Sequence, residues 1–278
     1  MVNDVSNQAQ SAAADQLSKV DPIWHQIRDE ADAVCNAEPA MSSFILEAIL
    51  NQQSLETAVA ARVSERLRVQ GISPELIRQT FKAMSEDDTG WAEVLRADLA
   101  AVYDRDPACE RFLEVLLYFK GFHALQVHRL AHWLWNQNRK DLALLLQGGS
   151  SSAFQVDINP AVAMGRGIFM DHATGIVIGA TATLGDNVSI LQGVTLGGTG
   201  KEDGDRHPKV RSGVLIGAGA QVLGNIIVGE CSRVAAGSVV LKDVPREKTV
   251  AGVPAKIVGE AGCSEPARSM NQIISNPK

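Results

Sequence analysis

His172 is the residue in this sequence that is best suited to acid–base chemistry. It lies in the segment MDHATG (170–175), where small residues follow it. Asp171 is its neighbour, and Asp157 precedes it by 15 residues. A carboxylate that holds one ring nitrogen leaves the other free to take a proton from a hydroxyl, and imidazole ordinarily titrates close to neutral pH. If the fold brings Asp157 close, the pair predicts a general base with an orienting acid.

A second group of titratable side chains lies in the polar segment 197–213, GGTGKEDGDRHPKVRSG. The group consists of Lys201, Asp205, Arg206, His207 and Lys209. This segment and the one around His172 both interrupt an otherwise apolar stretch of small residues. Loops that leave a regular scaffold commonly carry function. The two interruptions therefore predict where the site lies.

The scaffold that must position these residues is visible as a period of six. From residue 158 onward an aliphatic or methionine side chain recurs at this spacing, with two breaks: Ile158, Met164, Met170, then Ile178, Leu184, Ile190, Leu196, then Ile216, Val222, Val228, Val234, Val240. Neither a helix nor alternating strands give a period of six, whereas a short strand followed by a tight turn does. Three such sides close a triangular coil of about 18 residues, and coils stack at the parallel-strand spacing of about 4.8 Å.

Residues 158–245 therefore predict roughly five coils of a parallel β-helix. In such a coil Asp157 and His172, which are 15 residues apart, fall near the same edge of the prism in neighbouring coils.

The first half of the chain has a different composition. Nineteen of the 24 glycines follow residue 150, and Phe169 is the last aromatic residue. Apolar residues at three- and four-residue steps predict helices, and Ser73-Pro74-Glu75 is typical of a helix start. The turn-like GGSSS at 148–152 predicts the end of the helical region. We predict an α+β protein with a helical domain over 1–150, a β-helix over 151–259 and a flexible tail over 260–278.

Composition excludes several classes of partner. A net charge of -6 argues against a nucleic-acid or anionic-membrane surface as the main partner. No stretch of about 18 apolar residues and no secretory signal are visible, so we expect a soluble cytoplasmic protein without a membrane partner. The four cysteines form no C-x-x-C pair, which predicts neither a disulfide framework nor a zinc clip.

Five segments closely resemble the serine O-acetyltransferases, a family of hexapeptide-repeat acyltransferases: KGFHALQVHRLAHWLWNQ (120–137), FQVDINPA (154–161), GRGIFMDHATGIVIG (165–179), VSILQGVTLGGTGKEDGDRHPK (188–209) and AGVPAKIVG (251–259). The resemblance implies a left-handed β-helix, although crossovers between parallel strands are nearly always right-handed. It also implies acetyl transfer from acetyl-CoA, a co-substrate, to the hydroxyl of L-serine for cysteine biosynthesis. No metal and no permanently bound cofactor are implied.

The resemblance also assigns roles to residues. His172 is implied as the base, with Asp157 as the acid that orients it. Serine binding is implied for Asp106, Asp171, Arg206 and His207. Among these, Arg206 suits the serine carboxylate and Asp106 or Asp171 its ammonium, while His207 either helps to hold the carboxylate or stabilises the developing oxyanion. Acetyl-CoA is expected along the outside of the coils, with contacts at Thr195, Gly198, Ala218 and Ala236 and with Lys242 at a phosphate.

Assembly and regulation follow from the same resemblance. Family members are homotrimers through the β-helix, with sites at the subunit seams, and two trimers usually join into a hexamer. L-Cysteine commonly inhibits them at the serine site. The chain departs from the family at Asn159, where a histidine is usual. It also ends in Lys278 rather than isoleucine, which weighs against a complex with O-acetylserine sulfhydrylase without excluding one.

Three other functions fit parts of the pattern. A hexapeptide acetyltransferase for a sugar, an antibiotic or homoserine shares the coils, but sugar-specific relatives usually lack the long helical half. A zinc hydratase like the γ-class carbonic anhydrases needs three histidines, and the β-helix offers only His172 and His207. A scaffold subunit without turnover is disfavoured because Asp157, His172 and Arg206 are all present.

Overall fold

A helical N-terminal region is followed by a parallel β-helix in the computed structural model, which describes residues 21–67, 71–200 and 203–274. The described helices are α1 (Pro22–Ala37), α2 (Ser42–Ile45), α3 (Leu55–Leu67), α4 (Pro74–Asp87), α5 (Trp91–Arg105), α6 (Phe112–Tyr118), α7 (Lys120–Asn136), α8 (Lys140–Phe154) and, near the C-terminus, α9 (Pro266–Ser269), with a 3₁₀ turn at Pro39–Met41 and a π-helical turn at Leu46–Leu50. No helix within the described ranges combines the length and apolar character needed to cross a bilayer.

The two helix boundaries predicted from the sequence had different outcomes. The start of α4 is confirmed, because the Ser73 hydroxyl accepts a hydrogen bond from the Leu76 amide at 3.2 Å. The end predicted at 148–152 is wrong, because α8 runs through GGSSS to Phe154 and stops only at Gln155, whose φ is 59°. Packing of α8 against α7 and the first strand, with Ser150 and Phe154 buried, outweighs the low helix propensity of glycine and serine.

The β-helix has three flat faces. Face A consists of β1 (Val156–Ile158), β4 (Ile176–Ile178), β7 (Thr195–Gly197), β10 (Gln221–Leu223) and β13 (Val239–Val240). Face B consists of β2 (Ala163–Met164), β5 (Thr183–Leu184), β8 (Lys209–Val210) and β11 (Ile227–Val228). Face C consists of β3 (Phe169–Met170), β6 (Ser189–Ile190), β9 (Leu215–Ile216), β12 (Arg233–Val234), β14 (Lys248–Gly252) and β15 (Ala255–Glu260). All pairings are parallel except that of β14 with β15, so the predicted α+β fold class is confirmed, and the six-residue repeat fits a left-handed β-helix.

The predicted six-residue rungs stack in register. On face A, Ile158 pairs with Ile178, followed by Leu196, Val222 and Val240 in successive coils, and all five are buried. The other predicted residues form the ladders of the remaining faces. Face B contains Met164, Leu184 and Val228, and face C contains Met170, Ile190, Ile216 and Val234. The long sequence break hides one further rung, Val210, which continues face B between Leu184 and Val228. The interior of the prism is therefore a set of aliphatic ladders, and both breaks are insertions between strands.

Each coil turns at three edges, which we name by the faces that they join. The CA edge carries the turns 171–175, 191–194, 217–220 and 235–238. The AB edge carries 179–182, the long loop 198–208, 224–226 and 241–243. The BC edge carries 165–168, 185–188, 211–214 and 229–232. The first break in the period thus lies at the CA edge and the second at the AB edge.

A buried ion pair attaches the helical region to the first coil. Asp98 in α5 is fully buried and accepts hydrogen bonds from the Arg129 guanidinium of α7 and from the Ile168 amide. Arg129 also donates to the backbone oxygens of Met164 and Gly165. Burial raises the pKa of Asp98, and Arg129 and the hydrogen bonds oppose that shift. Helices α5 and α7 are therefore fixed to the BC edge.

The C-terminal segment lies against the prism and α5. After β15, Ala267 and Arg268 of α9 contact Ser189 and Asp104, and Arg233 donates to the Asn271 oxygen at 2.7 Å. The flexible tail predicted from residue 260 thus includes a described part, 260–274, with defined contacts. Residues 275–278 lie outside the described ranges, and the boundaries of the three domains remain predictions.

Candidate active site

The turn 171–175 presents His172 from a strained backbone. His172 and Ala173 have φ values of 52° and 59°, in the left-handed region that side chains other than glycine seldom adopt. The spacing from Met170 to Ile178 is eight residues instead of six, so two extra residues are accommodated in this turn. Such strain is concentrated at functional sites, where the surrounding structure maintains it. Here it directs the His172 side chain outward, with 77% of its surface exposed.

One carboxylate lies beside this imidazole, and a second interacts with the first. The Asp171 Oδ1 is 3.8 Å from the His172 Nε2. Burial and the nearby Asp106 raise the pKa of Asp171, while His172 lowers it. Asp106 caps the C-terminus of α5, and its Oδ1 accepts a hydrogen bond from the Ala108 amide at 2.9 Å. Two carboxylates that approach each other in this way favour a cation between them, such as an ammonium group.

Asp157 lies on face A, which adjoins the CA edge that carries His172. It occupies β1 on face A, in register with Val177 of the next coil. Its Oδ1 accepts a hydrogen bond from the Gln147 amide of α8 at 2.6 Å. No hydrogen bond among the described residues joins Asp157 to His172. The predicted dyad is therefore brought to one region of the prism without direct contact. Gln147 was not identified from the sequence because no local pattern marks it.

Thr181 fixes the chemical state of His207 at the AB edge. The His207 Nδ1 accepts a hydrogen bond from the Thr181 amide at 3.2 Å and lies 2.8 Å from the Thr181 hydroxyl. Because a backbone amide only donates, Nδ1 must carry a lone pair, and the ring proton lies on Nε2. Burial and the cations Arg206 and Lys209 lower the pKa of His207, which favours this neutral form, while Asp205 opposes them. His207 is therefore a hydrogen-bond donor through Nε2.

The rest of the long loop is folded around the same threonine. The amides of Arg206 and His207 both donate to the Thr181 hydroxyl, at 3.0 and 3.1 Å. Lys209 bonds to the Thr181 oxygen and to Asp205. The Arg206 side chain is half-buried and donates to the Gly200 oxygen at 3.3 Å. Thr181 was missed in the sequence because nothing distinguishes it from other small β-branched residues of the repeat, and Lys201 lies outside the described residues.

The two clusters occupy different edges of one chain. Asp106, Asp171 and His172 lie at the CA edge, whereas Arg206 and His207 lie at the AB edge, across face A. A strand of three residues spans roughly 10 Å, so a ligand the size of an amino acid does not reach both edges of one prism. The predicted serine-site residues are thus divided into two half-sites within the chain.

The predicted acetyl-CoA contacts follow the same division. Ala218 and Ala236 lie at the CA edge below His172, where glycines with positive φ stack above one another: Gly175, Gly193, Gly219 and Gly237. The positive φ of these four positions favours glycine, which keeps this strip free of side chains. Gly198 and Lys242 lie at the AB edge, and Thr195 lies on face A between the two edges. No group of three or more histidine, cysteine, aspartate or glutamate side chains that could hold a metal ion occurs in the described residues.

The chain is similar to known proteins along most of its length. Residues 23–127 match the family described as "Serine acetyltransferase, N-terminal", and residues 207–242 match "Bacterial transferase hexapeptide (six repeats)". The serine acetyltransferase of Haemophilus influenzae is 50% identical over 251 residues, which are 90% of this chain and 94% of that protein.

Solved structures show the same likeness. The serine acetyltransferase of Brucella abortus in complex with coenzyme A is 61% identical, with a TM-score of 0.87 over 89% of this chain and 99% of that one. A serine acetyltransferase in complex with cysteine is 48% identical, with a TM-score of 0.89 over 91% of this chain and 99% of that one.

Proposed function

Because the chain belongs to the serine acetyltransferase family of acyltransferases, which use acetyl-CoA as co-substrate, we propose that it moves an acetyl group to the L-serine hydroxyl and so serves cysteine biosynthesis. The observation that carries the proposal is the turn 171–175. There an exposed imidazole stands 3.8 Å from the Asp171 carboxylate, and Asp106 interacts electrostatically with Asp171, so the two carboxylates suit the ammonium of an amino acid. An amino acid bound by that ammonium would bring its side-chain hydroxyl towards the imidazole.

The reaction is direct attack assisted by His172. A serine hydroxyl is a weak nucleophile, so a base must take its proton as the oxygen attacks the thioester carbonyl. His172 takes that proton, and the new C–O bond gives a tetrahedral intermediate. When the C–S bond breaks, the imidazolium returns the proton to the leaving sulfur, which yields O-acetylserine and CoA.

Asp157 is the proposed orienting acid, as the family resemblance implies. The imidazole faces Asp171, at 3.8 Å. The ammonium of bound serine competes for the same carboxylate and so releases the ring. Asp157, which projects from face A near the same edge, then accepts the Nδ1–H and leaves Nε2 free for the hydroxyl. Its hydrogen bond from Gln147 holds it in place for that role.

The opposite half-site supplies donors for substrate oxygens. Arg206 presents a planar fork that matches a carboxylate. His207 donates through Nε2, because Thr181 occupies its Nδ1. Both roles considered for His207, binding the carboxylate and stabilising the oxyanion, require a donor, and the neutral tautomer supplies one without adding a second positive charge.

A homotrimer would unite the two half-sites. If the CA edge of one chain faces the AB edge of the next, a three-fold axis creates three identical seams. Each seam then contains Asp106, Asp171 and His172 from one chain, with Arg206 and His207 from its neighbour. The proposed acetyl-CoA contacts come from both sides of the seam. Ala218 and Ala236 lie at the CA edge of one chain, and Gly198 and Lys242 lie at the AB edge of its neighbour. Thr195 lies on face A, between the two edges of a chain. Pairing of two trimers through the helical region would give the hexamer expected of the family.

L-Cysteine is the proposed feedback inhibitor. It carries the same ammonium and carboxylate as serine and differs only at the side-chain atom, so Asp106, Asp171 and Arg206 bind it equally well. A related serine acetyltransferase has been solved with cysteine, which supports the proposal. Initial rates at several serine concentrations should show inhibition that excess serine overcomes. Unchanged rates in millimolar cysteine would contradict it.

The test of the proposed activity is the release of CoA from acetyl-CoA by the purified protein. L-Serine, L-homoserine and a panel of sugars serve as acceptors, and a reaction without acceptor measures background hydrolysis. We expect release with L-serine well above all others. Preferred release with homoserine or a sugar would move the proposal to that acceptor, and release with none would refute the enzyme assignment.

A further inference from the structure

A buried cation stands at the end of α5, and no carboxylate of the described residues forms an ion pair with it. Arg105 is only 7% exposed, and its guanidinium donates to the Ser189 hydroxyl at 3.1 Å and the Asn187 amide oxygen at 3.0 Å. Its Nε has no hydrogen-bond partner in the described part of the chain. The adjacent carboxylate of Asp104 pairs with Arg268 instead, at 2.7 Å. Burying a charge whose hydrogen-bond partners are neutral costs free energy, which indicates that Arg105 has a specific role at this position.

Arg105 lies between the elements that carry Asp106 and Asp171, the two carboxylates proposed to bind the serine ammonium and called here the ammonium site. Asp106 follows it directly and caps α5. Its acceptor Ser189 belongs to β6, which pairs in register with Phe169 of β3, two residues before Asp171. One guanidinium therefore ties the helix that carries Asp106 to the strands that lead to Asp171.

The C-terminal segment holds this connection from outside. The Ser189 hydroxyl, which accepts from Arg105, donates to the Ala267 oxygen at 2.7 Å. Arg268, the next residue, binds Asp104 one position before Arg105. Helix α9 thus orients the hydroxyl that Arg105 needs and restrains the last turn of α5.

We propose that Arg105 is a positioning residue for serine: it sets the separation of Asp106 and Asp171, and α9 keeps it in place through Ser189. This inference rests on the proposed function, because it takes the two carboxylates as the ammonium ligands. Its two hydrogen bonds act on geometry, since the guanidinium is buried against Ser189 and Asn187.

Arg105→Lys tests the proposal with a matched control. Lysine keeps the charge but cannot place two donors on Ser189 and Asn187 at once. We expect the KM for serine to rise about tenfold, which corresponds to the loss of one charged hydrogen bond, while the KM for acetyl-CoA stays within about twofold. Arg233→Lys is the control, because Arg233 is also buried on face C and also holds the C-terminal segment, through Asn271, but lies away from Asp106. It should leave the KM for serine unchanged.

Ser189→Ala keeps Arg105 and removes one acceptor, so it remains informative if Arg105→Lys folds poorly. We expect it to raise the KM for serine in the same direction, about threefold. Equal increases for both substrates, no increase with either variant, or an equal rise in Arg233→Lys would overturn the proposal.

A double-variant cycle separates this inference from the proposed function. Asp106→Asn alone must raise the KM for serine, and if it does not, the assignment of the ammonium site fails and the role of Arg105 with it. If Arg105 acts through Asp106, adding Arg105→Lys to Asp106→Asn should raise the KM little further. A full additional tenfold rise would leave the ammonium site standing and refute the positioning role.

Discussion

His172→Ala is expected to lower kcat about 1,000-fold, because the serine hydroxyl then loses its proton without a base at the moment of attack. The KM for serine should change far less, since the side chains proposed to hold the amino acid remain. The side chain is 77% exposed, so its removal leaves the core intact. Initial rates of CoA release at saturating acetyl-CoA, over a range of serine concentrations, measure both constants.

Two companion variants sharpen this result. His25→Ala removes another exposed histidine, on α1, and should retain full activity. Asp157→Asn should lower kcat with little change in the KM for serine, whereas Asp171→Asn should chiefly raise that KM. If His172→Ala turns over at a near-normal rate, His172 is not the base; if Asp171→Asn rather than Asp157→Asn lowers kcat, the orienting acid is Asp171.

Co-expression of two variants that each have low activity is expected to restore activity. Arg206→Ala should lower kcat/KM for serine about 100-fold, because a bidentate contact to the carboxylate is lost. When it is co-expressed with His172→Ala at equal levels, a seam is intact if its CA edge comes from the Arg206→Ala chain and its AB edge from the other. Random assembly makes about a quarter of the seams intact, so about a quarter of the wild-type activity should return.

The control for this experiment uses two variants of the same edge. His172→Ala and Asp157→Asn both alter the proposed dyad of a single chain, so no seam in their mixture receives an intact dyad, and activity should stay at the level expected from the separate variants. Recovery in that mixture would place His172 and Asp157 of one site on different chains and so contradict the proposed dyad. No recovery in the first mixture would rule out a site shared between chains. Mixing the separately purified proteins without co-assembly gives the baseline.

The sequence was sufficient to predict the ladders of the β-helix. A stacked coil repeats the same environment at every rung, so each face demands an aliphatic residue at a constant interval, and all twelve predicted positions lie on the inner rungs. Val210 was not predicted because the polar loop before it adds eight residues to the six-residue spacing from Leu196. The two breaks are visible in the same six-residue repeat, so the candidate residues could be assigned to these breaks from the sequence.

Contacts between distant parts of the chain could not be predicted in this way. Gln147, Thr181 and Arg105 have no local pattern that marks them, and each acts on a residue at least 10 positions away. The continuation of α8 through GGSSS has the same cause, because its packing against α7 and β1 is decided by tertiary structure. Periodicity also did not reveal that the site residues form two half-sites. It gives the position of a residue within its coil, but it does not show which edges meet when chains assemble.

The antiparallel hairpin at the end of face C also limits how the molecule can grow. A parallel coil leaves unpaired backbone groups at both ends, and such edges can template end-to-end association into fibres. Helix α8 packs on β1 at one end, while β15 reverses direction beside β14 at the other. A second copy adding a parallel coil to face C would meet a strand that runs the opposite way. The turn back at residues 252–255 therefore leaves face C without a parallel outer strand on which a further coil could continue the stack.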